Sequence, residues 1–157
     1  MEDDNTYFRE GCGMKVRDVM IRPAVCVEPG QSVASAAKVL ERYHVGALPV
    51  CDRDGSIRGI VTDRDIVVRC LAPEKDPVKT KVDQIMSSEV ICASPEMDTA
   101  VAAHLMGRKR VRRLPVVKGG KVQGLLSLDL LAATEQNAYD AADALGEISA
   151  YFLEKTS

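Results

Sequence analysis

The 157-residue sequence predicts an α/β (α+β) fold: two β-α-β-β-α repeats packed with pseudo-twofold symmetry, followed by an extra C-terminal helix. An internal repeat carries this expectation. Val16-Arg17-Asp18-Val19-Met20 matches Val82-Asp83-Gln84-Ile85-Met86 at an offset of 66, and 12 of the 35 aligned positions from 16 to 50 are identical. The offset drops to 65 where Asp52-Arg53-Asp54-Gly55 meets the shorter Lys118-Gly119-Gly120, a change that hairpin turns tolerate. A copy of about fifty residues cannot hide one sheet face and two helix faces alone, so the two copies should pack together.

Each element follows from local pattern. Residues 1–13 are polar, with Gly11-Cys12-Gly13 as a break, and read as a flexible leader, with Met14 as a natural start. The first repeat, 14–71, opens with an apolar strand from Ala24 to Val27. Ser32 then caps a helix carrying Val33, Ala36, Ala37 and Leu40 at helical spacing. A hairpin of buried strands follows, Ala47 to Cys51 with Ile57 to Val61, and a second helix starts at Thr62. Pro73 and Pro77 mark 72–81 as a linker. The second repeat, 82–133, gives a strand from Val90 to Ala93, a helix capped by Asp98, a hairpin of Leu114 to Val117 with Val122 to Leu126, and a helix from Ser127. Beyond it, 134–157 holds an amphipathic helix with Ala138, Ala141, Ala142, Leu145, Ile148 and Phe152 along one side, suited to closing the core or docking another chain.

Composition narrows the function. A net charge of -2 and a pI near 5.7 exert no general pull on nucleic acid or anionic membrane, and no segment reaches the length of a membrane span. Aromatics make up only 4% and Trp is absent, so stacking platforms are an unpromising recognition mode. Five cysteines without metal spacing fit reduced thiols in a cytoplasmic setting. Cys26 and Cys92 stand at equivalent strand positions, which fits packing, with redox sensing as the alternative that thiol reactivity tests. His44 and His104 lack a nucleophile or metal partner and the carboxylates are scattered, so neither a catalytic residue nor a metal site is expected.

The stretch Gly59 to Asp65 is where chemistry can sit. A buried strand ends there and a helix begins, and Thr62-x-x-Asp65 has the spacing of a capping box, which satisfies the orphan amides of a helix start. The same geometry can grip a polar ligand, because a carboxylate in the first turn accepts hydroxyls while the helix start offers N–H donors to phosphate. The pattern alone leaves both readings open. Arg108-Lys109-Arg110-Val111-Arg112-Arg113 is likewise open to three readings: a solvated helix end, a phosphate ligand site, or a nucleic-acid patch.

Tandem β-α-β-β-α repeats with a Val-x-x-Val-Met start, a central Val-x-x-Leu-Pro-Val and a Gly-h-h-[Ser/Thr] strand end with an acid three residues on resemble the cystathionine-β-synthase (CBS) domain pair, or Bateman module. The resemblance covers roughly Val16 to Ala133. It implies a regulatory, non-catalytic module that binds an adenosyl ligand between the repeats (AMP, ADP or ATP, with S-adenosylmethionine or NAD as further possibilities) and that pairs into homodimers while controlling another protein. Carried over by position, Thr62 and Asp65 would hold the ribose, Arg112 and Arg113 the phosphate, and Ile60, Ile91 and Val111 would flank the base, with Gly46 leaving room. In the second cleft the acid is replaced by Leu130 and the arginines by Gly46 and Ala47, so one nucleotide per chain is expected. Asp129 stands where some relatives are basic, which disfavours di- and triphosphates unless a cation such as Mg²⁺ bridges. The runner-up is a nucleic-acid-binding module using Arg108 to Arg113, marked by a steep salt dependence.

Overall fold

A computed structural model of the chain describes residues 13–156, so the expected leader lies outside the described residues except for Gly13. A short helix α1 (Val16–Val19) leads to α2 (Val33–Tyr43), the hairpin β1 (Ala47–Cys51) and β2 (Ile57–Thr62), and α3 (Asp63–Ile66), which continues as a π-helical turn Val67–Leu71. After a 3₁₀ turn Val82–Gln84, the order recurs as α4 (Thr99–Lys109), β3 (Arg113–Lys118), β4 (Lys121–Ser127) and α5 (Leu128–Ala132). A 3₁₀ turn Glu135–Asn137 then introduces α6 (Ala138–Thr156).

Each hairpin is a two-stranded antiparallel sheet, with Ala47 opposite Thr62 in one and Arg113 opposite Ser127 in the other. The strands expected at 24–27 and 90–93 are reduced to single parallel bridges, Val27 with Val50 and Ala93 with Val116. The cause lies in the facing strand. Val27 N donates to Pro49 O and Cys51 N donates to Val27 O, and the next rung would need an N–H that Pro49 lacks. Pro115 stops the Ala93 bridge in the same way.

Two cores form, one per repeat, and the opening segments are exchanged between them. Val16 belongs to the core of Met106, Leu114 and Leu126, whereas Val82 and Ile85 complete the core of Leu48, Val50 and Val61. Backbone bonds fix the exchange: Val16 N to Met97 O and Ile21 N to Leu125 O on one side, Val82 N to Gln31 O and Ile60 N to Ser87 O on the other. Two glycines make the crossing possible. A Cβ on Gly59 would stand 2.7 Å from Ser87 O and from Met86 Sδ, and one on Gly124 would stand 2.7 Å from Ile21 O and from Met20 Sδ.

Caps follow the sequence with one exception. Ser32 Oγ accepts from Ser35 N, but Asp98 makes no side-chain cap, because its Oδ1 accepts from Lys15 Nζ at 2.7 Å. The face of α6 is rotated from the expected one. Ala141, Ala144 and Ile148 are buried, while Ala138, Ala142, Leu145 and Phe152 are exposed. Small residues decide this, since Ala141 and Ala144 let α6 lie close on α4, where a Cβ on Gly107 would meet Ala144 Cα at 3.2 Å. Asn137, 2% exposed, pins the start of α6 through Thr99 Oγ1 and Thr134 Oγ1.

Candidate ligand site between the repeats

The start of α3 satisfies its orphan amides reciprocally. Asp65 N donates to Thr62 Oγ1 at 3.1 Å, while Thr62 N and Thr62 Oγ1 both donate to Asp65 Oδ2 at 2.9 Å. The capping box is therefore made, and it uses one carboxylate oxygen. The other, Oδ1, faces Arg69 Nε at 3.7 Å, an ion pair too long for a hydrogen bond. With 15% of the Asp65 side chain exposed, Oδ1 has capacity to accept a hydroxyl without dismantling the cap.

Arg113 opens β3 and sends its guanidinium across to the first repeat. A Cβ on Gly46 would stand 2.6 Å from Arg113 Nη2 and 3.3 Å from Asp63 Oδ2. Asp63 is the first residue of α3, so a cation of the second repeat and the helix start of the first meet at Gly46. The other arginines point elsewhere. Exposed Arg112 lines a groove of about 440 Å³ with Leu145, Ile148 and Phe152 of α6. Arg110 stacks on Tyr151, its guanidinium carbon 3.7 Å from the ring centroid. Arg110, Arg112 and Arg113 thus lie in three separate surroundings. Ile91 and Val111, both half-buried, pack against the second core, and half-buried Ile60 exchanges backbone bonds with Ser87.

The second cleft contains a cavity of about 260 Å³, with Val45, Gly46 and Ala47 on one side and Leu125, Ser127, Asp129 and Leu130 on the other. Ser127 Oγ accepts from Leu130 N at 3.3 Å, a cap without the reciprocal carboxylate. The expectation that this cleft has no cation is corrected, because Arg113 also lines it. Alignment of the repeats locates backbone positions, not the reach of a long side chain. The signal was Gly46, whose missing side chain leaves the space that Arg113 enters.

Two hairpins related by an internal repeat, each followed by a hydroxyl-capped helix start, define a paired-repeat module with a cavity between the repeats. The CBS domain family model matches residues 16–71 and 82–133, and the chain belongs to that family. It is 35% identical over 134 residues to the CBS domain-containing protein YhcV of Bacillus subtilis, covering 85% of this chain and 94% of the relative. Among solved structures it is similar to a CBS domain pair in complex with 5′-methylthioadenosine and S-adenosylmethionine, at 26% identity and a TM-score of 0.71, covering 77% of this chain and 94% of the other. A hexameric CBS-CP12 protein from bloom-forming cyanobacteria is similar at 27% identity and a TM-score of 0.71, covering 79% and 73%.

Proposed function

We propose that the chain is a regulatory module that binds an adenosyl compound between its repeats and thereby alters its contact with a protein partner. The observation that carries this reading is the meeting of Arg113 with the start of α3 at Gly46, which brings a cation of one repeat to the helix that presents Thr62 and Asp65 on the other. Family membership supports it, as does the adenosyl ligand pair named for one solved relative. Thr62 and Asp65 take the ribose hydroxyls, Arg113 takes the phosphate, and Ile60, Ile91 and Val111 flank the base, while Arg112, expected to share the phosphate, faces the α6 groove instead. A ligand held from both repeats favours one arrangement of the pair over others, and a partner sensing that arrangement is controlled by linkage.

The cationic end favours phosphate-bearing AMP, ADP or ATP over S-adenosylmethionine, which carries no phosphate. The module acts in the cytoplasm as a homodimer joined through the helical face of the first repeat, where Val67, Val68 and Leu71 are exposed, while α6 covers the matching face of the second. Among the described residues no helix is long and apolar enough to cross a membrane. The fanned-out arginines disfavour the nucleic-acid alternative.

A thermal-shift panel of these compounds and NAD tests the reading. A saturable rise is expected, roughly 2.7 kcal/mol at a hundredfold excess over Kd. Absence of any shift across the panel would overturn it, and a salt-steep oligonucleotide titration in its place would favour the nucleic-acid module.

A further inference from the structure

The single bridge between Val27 and Val50 brings two cysteines distant in sequence to one spot. Val27 N donates to Pro49 O and Cys51 N donates to Val27 O, which holds the backbone of Cys51 beside the residue that follows Cys26. The two side chains are close enough for each thiol to shift the other's pKa. The two environments differ: Cys26 is exposed, whereas Cys51 is buried at 3% exposure. The second repeat supplies an internal control. Cys92 occupies the position of Cys26, with its Sγ 3.8 Å from Val90 O just as Cys26 Sγ lies 3.8 Å from Ala24 O, but the counterpart of Cys51 there is Val117. The thiol pair is thus confined to the first repeat.

We propose that Cys26 and Cys51 form a reversible dithiol-disulfide site, with Cys26 as the attacking thiol and Cys51 as the resolving thiol, that reacts with low-molecular-weight disulfides. The chemistry follows from the contact. The Cys51 thiol stabilises a thiolate on Cys26 and lowers its pKa, while the same contact pushes Cys51 upward and keeps it protonated. The Cys26 thiolate attacks one sulfur of a disulfide RSSR, forming a mixed disulfide and releasing RS⁻. Capping Cys26 removes the anion that held the Cys51 proton. That proton passes to solvent, and the Cys51 thiolate attacks the Cys26 sulfur and expels a second RS⁻. The net change is two protein thiols and RSSR to one protein disulfide and two RSH. The bond closes a loop containing α2, Gly46 and Ala47, and so ties down one wall of the second cleft. This inference is independent of the nature of the ligand.

The test treats the full chain with oxidised glutathione at neutral pH, blocks remaining thiols, and maps tryptic peptides without reduction. Cleavage after Lys38 and Arg42 separates Cys26, on peptide 18–38, from Cys51, on peptide 43–53, and the other three cysteines fall on different peptides. The expected product links 18–38 to 43–53 and leaves Cys92 outside any intramolecular bond. In Cys51→Val, which installs the residue type of the second repeat, Cys26 should stop at the glutathione adduct. A persistent adduct on Cys26 of the wild type, or linkage of Cys26 to any cysteine other than Cys51, would overturn the proposal.

Discussion

Arg113 crosses from the second repeat to Gly46 of the first, its Nη2 lying 2.6 Å from where a Gly46 side chain would begin. The group met there is the far end of a flexible side chain, so Gly46→Ala should keep apo stability within about 1 kcal/mol of wild type while pushing the guanidinium aside. The AMP-induced rise in melting temperature should shrink in Gly46→Ala and more so in Arg113→Ala. Adenosine, with no phosphate, should be nearly unaffected. Equal responses to AMP in all three proteins would remove Arg113 from the site.

Substitutions can separate the capping duty of Asp65 from its proposed duty toward the ribose. Asp65→Ala leaves Thr62 N–H without its partner and should cost about 1 kcal/mol of apo stability in urea titrations. Asp65→Asn keeps a carbonyl oxygen for that amide and should hold apo stability, yet bind nucleotide about tenfold more weakly for want of the anion. Full nucleotide affinity in Asp65→Asn would leave the residue as a cap alone.

The crossing of the opening segments depends on bare backbone at Gly59 and Gly124. A methyl group at either site meets a carbonyl oxygen of the exchanged segment at 2.7 Å, and that backbone cannot swing away. Gly59→Ala and Gly124→Ala should therefore each destabilise by roughly 1–3 kcal/mol in denaturant melts. A loss below about 0.5 kcal/mol at both sites would show that the segments slide freely.

His44 and Arg110 occupy equivalent C-caps in the left-handed region, at φ 52° and 58°. Glycine relieves the steric cost there, so His44→Gly should stabilise by about 0.5–1 kcal/mol. Arg110→Gly gains the same relief but gives up the contact with the Tyr151 ring, and its net gain should be smaller. Thermal melts of the two variants side by side measure the difference.

Thiol reactivity should separate the two repeats. Contact with Cys51 lowers the pKa of Cys26, whereas burial raises that of Cys92. A lowered pKa means more thiolate at a given pH. Iodoacetamide at neutral pH should therefore label Cys26 ahead of Cys92, with the Cys26 rate inflecting at lower pH. In Cys51→Val that inflection should move upward, and an unmoved profile would deny the thiol contact its role.

The repeat, both hairpins and the Thr62 cap were legible in the sequence because each rests on local signals: an offset of 66, turn residues, and a hydroxyl three residues before an acid. What escaped is non-local. The missing N–H of Pro49 and Pro115 shortens strands written elsewhere in the chain, at 24–27 and 90–93. The buried side of α6 is chosen by Gly107 on another helix rather than by its own apolar stripe. Arg112 and Arg113 are neighbours in sequence but part company in space, one toward α6 and the other toward Gly46, and no spacing rule foretells that.

The exchange of Val16 and Val82 between cores has a consequence for how the molecule comes apart. Severing the chain within 72–81 would leave each fragment holding a piece of its sister's interior and lacking a piece of its own. Neither half is then a freestanding lobe, and heat should melt both in one concerted transition. Any signal registered in one half is felt as a change in the footing of the other.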